Sequence, residues 1–169
     1  MRKIYALSVI IAIAGCATNA GVEFGMNDET LLEGVAGDLA MRVLKIEAPD
    51  GTGYTTVWEG AKQIQIELQT DDFVTITDGY IDIDPMTLSY VLVTVDSLSH
   101  VQDNVVTPLV DSTIVFRADA FAPIPIIEGD EKKLVIVIGA AVWFDEDSLQ
   151  IVTGHEPFEG AALRVSYEY

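Results

Sequence analysis

The sequence predicts an all-β fold, an antiparallel β-sandwich of the immunoglobulin-like or transthyretin-like kind. Three observations support this. Thr87 to Leu98 is dense in β-branched and aromatic residues, contains neither Gly nor Pro, and carries apolar side chains on both faces, as a doubly buried strand would. Lys62 to Gln69 alternates strictly, with Ile64, Ile66 and Leu68 on one face and Gln63, Gln65, Glu67 and Gln69 on the other. Strand-like segments recur about every ten residues with turn signals between them. No fixed-period repeat, heptad pattern or low-complexity block competes with this reading.

The chain has 169 residues, half of them hydrophobic, enough for one domain with its own core. Its formal charge is −18, from 27 acidic and nine basic residues. Nucleic acid is excluded as an expected partner, because phosphate binding needs clustered Lys and Arg, and Lys132-Lys133 is the only adjacent basic pair after the leader. One cysteine cannot form an intramolecular disulfide.

Residues 1–15 read as a lipoprotein signal peptide. Arg2 and Lys3 form the basic region, Ile4 to Ala14 an apolar run too short to span a bilayer, and small residues precede the cut. Ile13-Ala14-Gly15-Cys16 resembles the bacterial signal in which a cysteine is acylated and becomes the new N-terminus. Cys16 is therefore the expected lipidation site, and Ile13, Ala14 and Gly15 the residues of signal recognition. Several acyl chains, each methylene contributing about 0.8 kcal/mol, would hold a folded domain at a membrane without a spanning helix. Loss of Arg2 and Lys3 takes nine basic residues to seven and the charge to −20, so the domain should stand off anionic headgroups. Ala17 rather than Asp follows the cysteine, the pattern sorted to the outer membrane if the cell is Gram-negative.

The expected order begins with residues 16–36 as lipidated N-terminus and linker. Ala17 to Gly25 is small and weakly patterned, and Asn27-Asp28-Glu29 is able to cap a short helix ended by Gly34 or Gly37. Residues 37–169 form the sandwich. Leu39, Met41 and Val43 open the first strand, which ends at Ala48-Pro49-Asp50-Gly51. Tyr54 to Trp58 leads into the alternating strand. Asp71-Asp72 and Asp78-Gly79 turn the chain into Phe73 to Ile76 and Tyr80 to Asp84, which Pro85 closes. Ser99 to Asp111 is expected to be a long connection or irregular edge, and Ser112 to Ala118 a strand. Phe121 to Ile127 and Lys133 to Phe144 read as a hairpin about Glu128-Gly129-Asp130-Glu131, its first strand confined to an edge by Pro123 and Pro125. Leu149 to Val152 and Ala162 to Tyr169 complete the set.

Several of these segments resemble a family of prokaryotic lipoproteins known as a domain of unknown function, the DUF4382 type. They are Gly37 to Val43, Glu47-Ala48-Pro49, Tyr54 to Trp58, Ile64 to Leu68, the Leu88 to Asp96 strand and Phe121 to Phe144. Two departures stand out. Ile46-Glu47 replaces a Thr-Asp pair before Ala-Pro, and Met86-Thr87 stands where Gly is usual. The resemblance implies a secreted, lipid-anchored β-sandwich and brings no established chemistry.

Candidate chemistry is sparse. His100 lies in a polar stretch and His155 in Gly154-His155-Glu156. There is no Gly-x-Ser-x-Gly elbow, so nucleophilic catalysis is not expected. Asp82 and Asp84 share a strand face, and Asp145 and Asp147 sit at a strand end, offering hard oxygen ligands for calcium without the order of a calcium loop. Acidic turns and solvated strand faces account for the same residues. Tyr54, Tyr80, Tyr90, Tyr167 and Tyr169 are candidates for a sugar-stacking platform, whereas Trp58 and Trp143 belong in the core. The expectation is a non-enzymatic, lipid-anchored envelope protein with a binding, adhesion or structural role, its partners being the membrane, envelope polysaccharide or other surface proteins. The alternatives are a glycan- or calcium-binding module and a self-assembling subunit joined through edge strands.

Overall fold

Strand accounts for 64% of the structure and helix for 3%, so the chain is all-β as expected. The computed structural model describes residues 19–29, 32 and 34–166. Its main sheet has nine strands and is nearly closed and barrel-like. In chain order these are β1 (Ala20–Asn27), β2 (Asp38–Pro49), β3 (Tyr54–Glu67), β4 (Val74–Thr75), β5 (Ile81–Ile83), β6 (Met86–Gln102), β7 (Val105–Ile126) and β8 (Glu131–Val137). A one-turn helix α1 (Ala140–Trp143) and a two-stranded ribbon, β9 (Phe144–Asp145) with β10 (Gln150–Ile151), precede the last strand, β11 (Ala162–Val165). The spatial order is β3-β2-β6-β7-β11-β8-β1-β4, with β5 also paired to β1. Two ladders run parallel, β1 with β8 and β7 with β11. The sheet is thus mixed, where antiparallel pairing throughout was expected.

Half of the molecule follows the hydrophobic pattern closely. Along β3, Ile64 and Ile66 point inward and Leu68 continues their face, while Gln63, Gln65, Glu67 and Gln69 are exposed. Along β2, Leu39, Met41 and Val43 are buried, then a register shift between Val43 and Lys45 re-phases the strand so that Ile46 and Ala48 face inward. β6 runs between β2 and β7 and is buried on one face only, where burial on both faces was expected of Thr87 to Leu98. Leu88, Val91, Val93 and Val95 line the interior, whereas Tyr90, Leu92 and Thr94 are half-buried on a face that no second layer covers.

Four expectations need correction. From Ala20 onward, the stretch expected to be a linker is β1, hydrogen-bonded on both sides, with Ala20, Val22, Phe24 and Met26 wholly buried. Its small residues are a packing requirement: the Phe73 ring lies over Gly25, where an added Cβ would sit 2.3 Å from it. No helix forms among the described residues between Asn27 and Gly37; Asp28 is buried instead, its Oδ1 accepting the Ala140 N–H at 3.3 Å. Ser99 to Asp111 is not a connection. β6 continues to Gln102, and Asp103-Asn104, at φ 51° and 62°, turn directly into β7, the backbone a type I′ hairpin demands. Finally, Phe121 to Ile126 does not pair with β8. It stays on β6 through Leu88–Ile124, Thr87–Pro125 and Met86–Ile126, and β11 lies between β7 and β8.

The barrel is filled at one end by aromatic rings. Phe116 stacks on Phe158 at 4.2 Å, Phe158 meets Trp143 at 5.2 Å, and Trp143 stands edge-on to Phe144 at 6.3 Å. Trp143 is fully buried as expected, but on α1 rather than in a strand, and its Nε1–H donates to Ile138 O at 3.0 Å. Trp58 is half-buried against the core.

Candidate functional site

Where β7 and β11 meet, the sheet nearly parts. Their ladder consists of Asp119–Ala162 and Ala120–Leu163 alone. Beyond it β7 follows β6 and β11 follows β8, and the strands fork around a groove of about 1060 Å³. Phe121, Pro123 and Pro125 of β7 form one wall, Val135 and Leu163 line it from β8 and β11, and Phe73 and Asn27 close it from the β1 side. Phe121 is fully exposed, Val135 is buried although it lies outside the barrel's main core, and Phe73 is half-buried. Apolar side chains thus face a cavity that is open to solvent.

Asn27 ends β1 and is the groove's buried polar group, 6% exposed. Its Nδ2 donates to Asp71 O at 2.9 Å, which fixes the amide's orientation, and among the described residues the buried Oδ1 has no hydrogen-bond partner. A buried acceptor without a donor costs about 1–3 kcal/mol, so it is a place where a ligand N–H or O–H gains on binding. Two cations line the opening, each paired with an acid: Arg164 with Glu29 and Lys132 with Asp130. Lys132 beside Asp130 holds that carboxyl below the usual carboxylate range, with the Ile127 N–H adding to the effect. Lys132 and Arg164 are matched in the groove lining by Glu29 and Asp71, so that lining carries no net charge in a strongly acidic protein.

A second polar cluster lies on the outer face. Tyr54 and Tyr90 meet edge to face at 6.3 Å, the Arg117 guanidinium covers the Tyr90 ring at 3.7 Å, and Arg117 Nε–H donates to Asp119 at 2.8 Å. The hydrogen bond from Tyr90 to the Tyr54 hydroxyl, 3.4 Å, raises the Tyr90 pKa above its ordinary value. Two of the five tyrosines considered for sugar stacking thus come together. Tyr80 is exposed elsewhere, and Tyr167 and Tyr169 lie outside the described residues.

The other sequence candidates are dispersed. Cys16 and the signal residues Ile13, Ala14 and Gly15 lie outside the described residues. Asp82 and Asp84 are exposed on either side of the buried Ile83 of β5. Asp145 accepts the Asp147 and Ser148 N–H groups at 3.0 and 3.3 Å, bonds that hold its pKa below the usual carboxylate value and close the turn between β9 and β10. Among the described residues, no three His, Cys, Asp or Glu side chains gather into a metal-holding group. His100 is not a solvated loop residue: it is 2% exposed, its Nε2 lies 3.0 Å from Ala36 O, and its ring meets Phe144 at 5.7 Å. His155 is paired with Glu159 at 2.8 Å, and neither histidine lines the groove.

Asn27, Phe73, Phe121 and Arg164 were not singled out as site residues from the sequence. They come together only through the parallel ladders, which leave no local signature. No protein-family model, curated protein or solved structure matches this chain.

Proposed function

We propose that this chain is a lipid-anchored cell-envelope protein that acts by binding and not by catalysis, with acylated Cys16 as its anchor and the groove between β7 and β11 as its ligand site. The observation that carries the reading is the apolar, solvent-open groove with a buried, unpartnered acceptor at Asn27. Such a site holds an extended, partly apolar chain that carries N–H or O–H groups, as envelope polymers do. The entry point of the chain fits the anchor. β1 begins beside Gly129 and Ile83, where β6 also starts, so Cys16 would lie near that end, and the β6–β7 turn at Asp103-Asn104 lies at the far end of a 17-residue strand. Ile124 and Pro125 of the groove pair with Leu88 and Thr87 at that same start of β6, so this wall of the groove would lie at the anchored end. The resemblance to the DUF4382 lipoproteins belongs to the same proposal. So does the sandwich description, with β3-β2-β6-β7 and β11-β8-β1-β4 as layers joined through the two-residue β7–β11 contact.

The anchor is tested by metabolic labelling with a palmitate analogue, which should mark the wild type and not Cys16→Ser. The groove is tested with Phe121→Trp as reporter, titrated with purified cell-envelope polysaccharide. A blue shift that Val135→Glu abolishes supports the reading; an emission unchanged at saturating polysaccharide removes polysaccharide as the ligand class.

A further inference from the structure

β7 is 22 residues long, yet the described residues provide a partner along its β11 side only at Asp119 and Ala120. From Val105 to Ala118 the strand pairs with β6 alone, and none of the described residues of other elements makes a backbone hydrogen bond to its other edge. The direction of that edge follows from one bond. Asp119 N–H donates to Ala161 O, away from β6. Strand geometry then turns the N–H and C=O groups of Arg117, Val115 and Thr113 the same way, while those of Ala118, Phe116 and Ile114 face β6. On the sheet faces Thr113, Val115 and Arg117 are exposed, Val115 by 58%, whereas Phe116 and Ala118 are buried.

The rest of this edge is guarded. Pro108 and a register shift between Val110 and Thr113 interrupt it on one side, and Pro123 and Pro125 remove donors on the other. Between them, Thr113 to Ala118 pairs with Asp96 to Val91 without a break and contains neither Pro nor Lys. An unpaired edge of this kind, with Thr113, Ile114 and Val115 β-branched, is a template for another strand.

We propose that β7 pairs antiparallel with the same strand of a second copy about Ile114, Thr113 to Val115 forming the ladder and Arg117 meeting Asp111 at its ends, giving a two-fold dimer through β7. The inference does not depend on the groove. Charge argues for a second copy. A two-fold axis at Ile114 sets Thr113 opposite Val115 of the second copy and brings Arg117 level with its Asp111, and symmetry repeats both contacts. Arg117 also pairs with Asp119 of its own strand, so at the dimer contact it would lie between that carboxylate and Asp111 of the second copy.

Full-length protein purified in a mild detergent is examined by native mass spectrometry. The wild type should be dimeric. Asp111→Arg sets arginine against arginine and Arg117→Asp sets aspartate against aspartate, twice per dimer, so each should weaken association by about tenfold. Combining the two reversals in one chain should restore it, an outcome that neither a lipid-driven aggregate nor a folding defect would produce. Val115→Lys, at an exposed position, should give monomers with an unchanged far-ultraviolet circular dichroism spectrum. A monomeric wild type overturns the proposal, and so does a dimer that neither single reversal weakens or that the combined variant fails to restore.

Discussion

The two halves of this sheet are built differently. In β3-β2-β6-β7 each neighbouring pair is antiparallel, and two of the three pairs are joined by short turns at Asp50 to Gly53 and Asp103-Asn104. In β11-β8-β1-β4 the central ladder joins Gly21 through Asn27 to Glu131 through Val137, about a hundred residues later, and runs parallel. The first half can form early, because its contacts close short loops. The second must wait until most of the chain is in place. The groove lies on the seam between them, where a locally specified edge meets a distantly assembled one and only two residues pair.

That contrast yields graded predictions. The largest effect is expected from Phe24→Ala in β1, which empties a fully buried position and should cost about 3–5 kcal/mol in urea unfolding. If the halves differ in folding order, this change acts mostly on the unfolding rate, whereas Val93→Ala in β6 slows folding. Equal partitioning at both sites would erase the distinction.

Gly37→Ala comes next. Gly37 precedes β2 at φ 100°, and an added Cβ would sit 2.4 Å from the Val101 carbonyl oxygen on β6. The backbone strain alone costs about 1–3 kcal/mol, and the displaced oxygen belongs to the antiparallel half. Thermal denaturation should show the loss, and Gly53→Ala, with open space around it, should be nearly silent.

His100→Ala should be intermediate. It leaves the Ala36 carbonyl without its imidazole contact and opens a void beside Phe144, at about 1–3 kcal/mol. A variant as stable as wild type would show that this end of the barrel is held by Trp143 and Phe158 alone.

The smallest effects are electrostatic. Lys62 pairs with Asp78 at 2.8 Å, linking β3 to the turn after β4 where the barrel nearly closes, and it holds the Asp78 carboxyl below its usual value. Asp50, Asp130 and Asp145 are likewise lowered, chiefly by Thr52 and Gly53 N–H groups, by Lys132, and by Asp147 and Ser148 N–H groups. A carboxyl whose folded pKa is depressed binds fewer protons folded than unfolded. Its stabilisation is therefore complete above the ordinary Asp value of about 3.9 and is lost as pH falls through the lower folded value. The melting temperature should drop in that acid window, and Asp78→Asn should make the drop slightly shallower. Near neutral pH the excess of 27 acidic over nine basic residues repels itself, so added salt should raise the melting temperature. No salt response would mean that the seven described cations already neutralise the field locally.

Much of the antiparallel half was legible in the sequence. Ile64, Ile66 and Leu68 had to share a face because strand side chains alternate, and Pro49-Asp50-Gly51 had to turn. Three things misled. The phase change in β2 depends on an added residue opposite its neighbours, which no local pattern announces. Asp103-Asn104 carries a weaker I′ signal than Asn-Gly or Asp-Gly, so the polar residues around it resembled a loop. β1, with Ala20, Gly21 and Gly25, lacks the bulky β-branched pattern of an isolated strand, because its small residues are set by the Phe73 ring lying over them.

By itself, the sequence determined that this chain is all-β, where β2 and β3 run and which of their faces is wet, since hydrophobic alternation and turn residues act over a few neighbouring positions. Only the tertiary structure decided that β1 lies between β8 and β4, that β11 runs parallel to β7, and that Asn27, Phe73, Phe121 and Arg164 share one groove. Parallel ladders join segments far apart in the chain through backbone hydrogen bonds common to every residue type, so side-chain order alone carries little record of which strands will meet.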